Sequence, residues 1–406
     1  MKNRIALFIL AALLAFPAFA GEVAMPPVTM PTVASNGMGG HHVAYTDNVF
    51  SLLVNPAAMM RTQQRSFFTL SPTIFNPQTL FKLGGAMIDL GKGDTTALGK
   101  AGNTLSSQKG KVALGFELRE FPLSFAWVAN GFGFGLWNRT FVNANIIGTH
   151  IQAEIYEDIM LPIGFAFRIF DFDRHSLDAG LTMKPFARVM AHADEKITDL
   201  IGGSTGDFAD NINIPLIMGG AFDAGLMYRW AAGLAVGLAF NDFYSRGNVV
   251  KNFNNSVEDT NTYYVPFTMN LGVSWEMKLG KVFGLAIAAD WRDMINTFRQ
   301  DDYMNRNYLL NFGVGAQVSL INTFIFRVGM SEMLPSLGIG FDIGPLKIDM
   351  SYYGREFGRE PGQFPAAMAE LSISIRPGAQ KRSWPWARRS IVGLITGVEK
   401  VETEEE

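Results

Sequence analysis

The chain has 406 residues, with 34 basic and 37 acidic side chains, five histidines and no cysteine. A net charge of −3 argues against a nucleic-acid partner, because nucleic acid is bound by basic surfaces. The lack of cysteine excludes disulfides, thiol nucleophiles and thiolate metal sites. Forty-two glycines, 33 phenylalanines and only 17% charged residues indicate apolar surface spread over many short segments.

The first twenty residues predict a secretory signal peptide. Lys2 and Arg4 precede an apolar stretch, and Ala18-Phe19-Ala20 forms a small-x-small cleavage site before Gly21. The apolar stretch is short for a membrane span, and no cysteine follows the site to accept a lipid. We therefore expect residues 1–20 to be removed from an exported protein.

Residues 21–64 do not alternate as a barrel wall would, and we name them the hatch. They contain several prolines and then the turn-prone stretch Ser35-Asn36-Gly37-Met38-Gly39-Gly40. After it, Val49, Leu52 and Leu53 have helical spacing, and Asn55-Pro56-Ala57 closes the segment. The pattern predicts short helices that fold into the lumen of a barrel.

Residues 76–111 interrupt the strand pattern that begins at residue 65. Within them, 82–90 and 95–105 have helical character. The segment stands where the first extracellular loop of a barrel would be. We expect a helical insertion there, and it is a candidate lid over the mouth.

The rest of residues 65–377 alternates with a period of two. Leu346, Ile348 and Met350 alternate with Lys347 and Asp349, as lipid-facing and lumen-facing side chains do. Turn signals delimit about fourteen such strands, and twelve or sixteen remain possible. The predicted fold is all-β, a transmembrane antiparallel barrel with the hatch as a plug, in the bacterial outer membrane with both termini periplasmic. The number of strands and the signal peptide disfavour a soluble sandwich.

Two classes of inward position bear on function. Charges in a lumen usually pair with each other or hold a plug. The predicted lumen-facing charges are Arg168, Asp290, Arg327, Lys347 and Asp349. Other inward positions are small, and they either tolerate strand twist or make room for the plug. These positions include Gly133, Gly135, Gly237, Ala239, Gly313 and Gly315.

The sequence gives no indication of a catalytic or metal-binding site. The five histidines lack metal-ligand spacing, we expect no catalytic triad of the Gly-x-Ser-x-Gly kind, and no phosphate-loop motif occurs. We predict no enzyme, no metal site and no cofactor.

The chain continues after the last strand as a tail, residues 378–406. Trp384, Trp386 and Arg388 precede an apolar stretch, and the tail ends in acidic residues. It is either an interfacial helix or a disordered periplasmic extension that binds a partner protein.

The hatch motifs resemble those of FadL-type long-chain fatty acid transporters. The similar features are the glycine-rich turn, Ala44-Tyr45-Thr46-Asp47 and Asn55-Pro56-Ala57 before the first strand. The resemblance implies a fourteen-stranded barrel in outer-membrane lipid and passive, hatch-gated uptake of hydrophobic or amphipathic molecules such as long-chain fatty acids. It also implies hatch or gating roles for Gly37, Gly39, Gly40, Asp47, Asn55, Pro56 and Ala57. The insertion and the tail depart from the family.

A second reading belongs to another class of protein. Barrels with this opening also act as scaffolds, and the loops and tail of this chain would then dock partner proteins. A water-filled porin is less consistent with the sequence, because many inward positions are glycine or alanine rather than charged.

Overall fold

The computed structural model describes residues 23–27, 30–40, 42–46, 48–62, 64–66, 68–108, 110–196, 212–254, 261–279, 282–295, 306–321 and 323–376. The predicted signal peptide, the tail and Asp47 lie outside the described residues. No described helix is long and apolar enough to cross a membrane.

Fourteen antiparallel strands form a closed barrel, as predicted. Each strand pairs with its neighbour in the chain, and β14 closes the ring by pairing with β1 at Met368 and Phe75. Strands β1, β4 and β8 are each interrupted once. The strands are β1 (Gln64–Ser66 and Phe68–Phe75), β2 (Lys111–Ala129), β3 (Phe132–Ile147), β4 (His150–Met160 and Ile163–Phe172), β5 (His175–Lys196), β6 (Pro215–Trp230), β7 (Leu234–Asn252), β8 (Thr262–Tyr264 and Thr268–Leu279), β9 (Phe283–Trp291), β10 (Phe312–Leu320), β11 (Phe324–Ser331), β12 (Leu334–Asp342), β13 (Leu346–Glu356) and β14 (Pro365–Ile375).

The period of two in the sequence separates an apolar outer face from a polar inner face. Phe165 and Phe167 of β4 are 61% and 57% exposed. Arg327 of β11 and Asp349 of β13 are each 5% exposed. Because successive side chains of a strand point to opposite faces, the large apolar residues form an outward belt.

The two ends of the barrel differ in their connections. At one end, the short-turn end, two or three residues join neighbouring strands, as at Asn130-Gly131. Both of these residues have positive φ, 52° and 79°, which matches the tight turn that Asn-Gly favours in a hairpin. At the opposite, long-loop end, the connections reach the length of residues 76–110.

The outermost described residues lie at opposite ends of the barrel. Val23 and Ala24 form a short strand parallel to Tyr263 and Tyr264, near the long-loop end. Arg376 lies at the short-turn end, where its amide donates to the carbonyl of Pro345. The prediction that both termini are periplasmic stays a prediction.

The hatch contains three short helical segments and lies in the lumen. They are α1 (Val33–Gly37), α2 (Ser51–Val54) and a 3-10 helix (Pro56–Met60). Leu52 and Met59 of the hatch are fully buried against the wall residues Val128 and Trp137. The hatch thus supplies apolar core to a barrel whose own inner face is largely polar.

The insertion forms a helical hairpin at the long-loop end. Its helices are α3 (Pro77–Gly91) and α4 (Thr96–Ser107), longer than the predicted 82–90 and 95–105. Pro77 suits the first turn of α3, where an amide donor is not needed. Phe81 and Ile88 on one face of α3 are 70% and 60% exposed. A role for the hairpin as a lid stays a prediction.

Candidate functional site

The first helix of the hatch ends so that the chain can approach the wall closely. Thr32 caps α1, because its Oγ1 accepts a hydrogen bond from the Ser35 amide at 2.9 Å. Gly39 and Gly40 follow with φ of +88° and +138°. A Cβ at Gly39 would lie 2.3 Å from the carbonyl oxygen of Val314. Glycine is therefore required at the contact between the hatch and β10.

The Asn55-Pro56-Ala57 motif forms the second contact region of the hatch. Asn55 Oδ1 accepts a hydrogen bond from the Ala57 amide at 3.2 Å, which caps the 3-10 helix. Its Nδ2 donates to the carbonyls of Val43 and Leu226, each at 3.2 Å. Asn55 thereby ties two parts of the hatch to strand β6.

The wall that faces the hatch is lined with glycine. A Cβ at Gly315 would lie 1.8 Å from the Met38 carbonyl oxygen, and one at Gly225 would lie 2.1 Å from Asn55 Oδ1. Gly135 differs, since the Trp137 ring occupies its space. The hatch-facing wall glycines are Gly131, Gly133, Gly164, Gly180, Gly225, Gly237, Gly272, Gly313, Gly315, Gly329 and Gly338. Of the two readings of the small inward residues, the structure favours room for the plug.

Asp290 of β9 is a lumen-facing charge in direct contact with the hatch. Its Oδ2 lies 2.8 Å from Nδ1 of His42, and its Oδ1 accepts the Val43 amide at 2.8 Å. Gly272 of β8 makes the contact possible, because a Cβ there would lie 2.3 Å from Asp290 Oδ1. The carboxylate holds two successive hatch residues against the wall.

Three other predicted charges, on β11 and β13, form one cluster. Asp349 pairs with Arg327 at 2.8 Å and with Lys347 at 2.9 Å. Arg327 Nε donates to Gln317 at 2.8 Å, and Gln317 donates to the Tyr45 hydroxyl at 3.0 Å. The cluster therefore reaches the hatch through one neutral side chain.

Arg168 lies apart from the other predicted charges, toward the short-turn end. It pairs with Asp171 at 2.5 Å and with Asp178 at 2.7 Å. Arg61, which ends the last helix of the hatch, donates to nearby Ser176 at 3.0 Å. Arg168 thus pairs with carboxylates of its own wall region, and the hatch supplies a separate arginine.

Sequence reasoning missed a second set of buried charges. Their signal is weak, because the charges are dispersed over several long strands and nothing in the sequence matches a charge to its partner on another strand. Their pairing depends on which strands become neighbours. The pairs are Arg119–Glu370 at 2.6 Å, Arg139–Glu117 at 2.6 Å, Arg188–Asp158 at 2.5 Å, Lys184–Asp223 at 2.8 Å and Lys184–Asp242 at 2.6 Å.

Two of these arginines also hold the start of the hatch. Arg119 donates to the carbonyl of Pro31, and Arg188 donates to the carbonyl of Pro26 at 2.5 Å. Proline cannot donate a backbone hydrogen bond, but its carbonyl accepts one. The proline-rich part of the hatch is therefore bound through its backbone.

A polar cavity of about 190 Å³ lies between the hatch and the wall near the long-loop end. Asn36 and Gly40 line it from the hatch. Three arginines and two glutamates line it from the wall, so its charged lining carries an excess positive charge. These residues are Arg139, Arg292, Arg355, Glu117 and Glu332.

The cavity contains donors that the described residues do not use. Arg355 stacks on the Phe357 ring at 5.1 Å and has no hydrogen-bond acceptor among the described residues. The Nε of Arg292 is buried and lacks an acceptor in the same part of the chain. Burial raises the pKa of Glu332, but the charges of Arg306, Arg292 and Arg355 outweigh it and hold that pKa below its ordinary value. An anionic group would complete this arrangement.

An aromatic cluster adjoins the cavity. Phe75, Phe141, Tyr156 and Met368 form its buried centre, and Tyr353 packs against it. Tyr353 also lines the cavity, and the Arg139 guanidinium lies 5.1 Å above the Phe141 ring. Cationic and apolar surfaces therefore meet at one place in the lumen.

No protein-family model and no curated protein matches this chain. It is similar to the structure of a Pseudomonas aeruginosa FadL homologue, with 12% identity, a TM-score of 0.44, and coverage of 86% of this chain and 98% of that one. The Ralstonia pickettii toluene transporter TbuX aligns at 12% identity and a TM-score of 0.43, over 88% and 99% of the two chains. The Pseudomonas putida toluene transporter TodX aligns at 10% identity and a TM-score of 0.40, over 87% of this chain and 99% of that one.

Proposed function

We propose that this chain is a FadL-type outer-membrane channel that takes up hydrophobic or amphipathic small molecules by passive diffusion gated by the hatch. The outward apolar belt supports placement in a membrane. The observation that carries the proposal is the cavity at the hatch, where arginine donors without acceptors adjoin an aromatic cluster.

The cavity fits the two halves of an amphiphile. Arg292 and Arg355 would bind an anionic headgroup through charge-assisted hydrogen bonds. The aromatic cluster would take the apolar part, with about 0.8 kcal/mol for each CH₂ group buried. At 190 Å³ the cavity is below the roughly 300–1,000 Å³ of drug-sized pockets. With the hatch in this position it holds a headgroup and the first carbons of a long-chain fatty acid.

Passage requires the hatch to move. Its contacts with the wall are noncovalent: hydrogen bonds, the His42–Asp290 contact, apolar packing and close glycine packing, and the chain contains no cysteine that could lock it covalently. No energy source is needed, because a bound amphiphile that displaces hatch contacts shifts an existing equilibrium.

The test compares dodecanoate with dodecanol on the purified, folded barrel by native mass spectrometry and calorimetry. In the double variant Arg292→Gln and Arg355→Gln, the Kd for dodecanoate should rise at least about tenfold, because hydrogen bonds to charged groups are lost. Binding of the neutral alcohol should change little. Lys92→Gln, on the exposed end of α3, is the matched control.

An equal loss of affinity for dodecanoate and for dodecanol in the double variant would contradict a headgroup site. If the folded wild-type barrel binds neither ligand, the channel proposal fails. The scaffold reading, in which loops and tail dock partner proteins, would then replace it.

A further inference from the structure

His42 is held so that both of its ring nitrogens face hydrogen-bond acceptors. Nδ1 lies 2.8 Å from Asp290 Oδ2, and Nε2 lies 2.8 Å from the carbonyl oxygen of Met38. The side chains of His42 and Asp290 are 3% and 1% exposed. A neutral imidazole carries one N–H, whereas an imidazolium carries two. Only the protonated ring donates to both acceptors at once.

The same two residues connect the hatch to the wall. The second oxygen of Asp290 accepts the Val43 amide at 2.8 Å, and the His42 carbonyl accepts from Thr46 Oγ1 at 2.9 Å. His42 has φ of +52°, so its backbone holds a conformation that side chains other than glycine rarely adopt. The His42–Asp290 pair thus contacts the wall through its side chains and also holds the backbone of the hatch in one conformation.

The charged and titratable groups around His42 come from several elements. Asp290 of β9 contacts the ring, and Arg292 follows β9 beside Gly40. Tyr45 of the hatch lies edge-on to the ring at 6.5 Å. Strands β11 and β13 contribute Arg327, Asp349 and Lys347, which reach Tyr45 through neutral Gln317 of β10. Among the residues that the structure describes, strand β8 contributes the neutral Gly272 and Ser274 to the hatch at this point.

We propose that His42 and Asp290 form a protonation-dependent latch that fastens the hatch to the barrel wall. Histidine side chains change charge between about pH 5 and 8. The latch is closed while the ring is protonated and loses one ring hydrogen bond when the ring releases its proton, because an unprotonated nitrogen then faces an acceptor. The latch does not depend on which molecule the channel carries.

The test is hydrogen–deuterium exchange of residues 37–46 in detergent micelles from pH 5 to 9, corrected for the intrinsic rates. In the wild type, protection should fall at least about tenfold as the pH rises, as expected when a hydrogen bond to a charged group is lost. In Asp290→Asn, the direction of this pH dependence should be reversed, so that protection rises with pH. The Oδ1 of the asparagine would still accept a hydrogen bond from the Val43 amide. Its Nδ2 would donate to Nδ1 of a neutral His42 ring, and the Nε2–H of that ring would donate to the Met38 carbonyl.

Asp349→Asn is the matched control, a buried lumen carboxylate that is separated from the hatch by Arg327 and Gln317. It should keep the pH profile of the wild type. His42→Gln, which cannot titrate, should give a flat profile and serves if Asp290→Asn fails to assemble. Protection in the wild type that does not change with pH, or a retained wild-type slope in either latch variant, would overturn the proposal. Because exchange needs no ligand, this result is separate from the channel test.

Discussion

At the scale of single residues, the side chain of Asn55 satisfies several groups at once. It caps the 3-10 helix with its oxygen and donates to the carbonyls of Val43 and Leu226 with its nitrogen. An amide provides both a donor and an acceptor, whereas an ionised carboxylate can only accept hydrogen bonds. The oxygen also occupies the space that Gly225 leaves by having no Cβ.

Asn55→Asp should therefore loosen the hatch although it preserves shape and cap. A carboxylate oxygen would face two buried carbonyl oxygens, at a cost of about 1–3 kcal/mol for each unsatisfied group. We expect a larger loss of exchange protection over residues 48–62 in Asn55→Asp than in Asn55→Ala at pH 7. Wild-type protection in Asn55→Asp would show that the two amide bonds are unimportant.

At the scale of elements, the helical hairpin is separable from the barrel. Asn76 anchors its base through the carbonyls of Ala113 and Ala367. Above that base, α3 and α4 pack mainly on each other, and α3 touches β14. The pairing of β1 with β2 runs from Ser71 to Phe75 without help from the hairpin.

Replacing residues 78–107 with a flexible linker should leave the barrel intact. The hairpin packs mainly on itself, so the Tm should stay close to that of the wild type. The association rate of dodecanoate then tests the lid prediction. A faster rate at unchanged Tm supports a lid, whereas an unchanged rate contradicts it.

At the scale of the whole molecule, lipid and lumen impose opposite demands on the two faces of the wall. Buried charges occur on the inner face in pairs, as at Arg188 and Asp158. The outer face of β4 presents Phe165, Phe167 and Ile169. A charge on that face has no partner, and its cost depends on depth in the bilayer.

Phe167→Arg should consequently destabilise the barrel in lipid vesicles by about 2–4 kcal/mol, while Phe172→Arg at the short-turn end should cost about 0–1 kcal/mol. Both side chains are exposed, at 57% and 76%, so they differ mainly in depth. Denaturant unfolding in vesicles measures the difference. Equal costs at the two positions would argue against the proposed membrane placement.

The barrel was predictable from the sequence because strand periodicity is local. Alternation in segments such as 346–352 and turn residues such as Asn130-Gly131 depend on neighbours in the chain. They predicted about fourteen strands, the polar inner face and the separate nature of the hatch, and the closed ring decided the exact count. The helices of the insertion were also predictable, although their bounds were not, since apolar spacing marks only part of each helix.

The contacts of the site were decided by tertiary structure alone. His42 and Asp290 are 248 positions apart, and Asn36 and Glu370 are 334 apart. No local pattern encodes such distances, because the partner of a lumen-facing side chain depends on how the ring closes and how deep the hatch lies. The sequence by itself determined a barrel with a polar, glycine-rich lumen and a plug. Only the closed ring decided which charge meets which hatch atom, since that requires every strand register to be fixed at once.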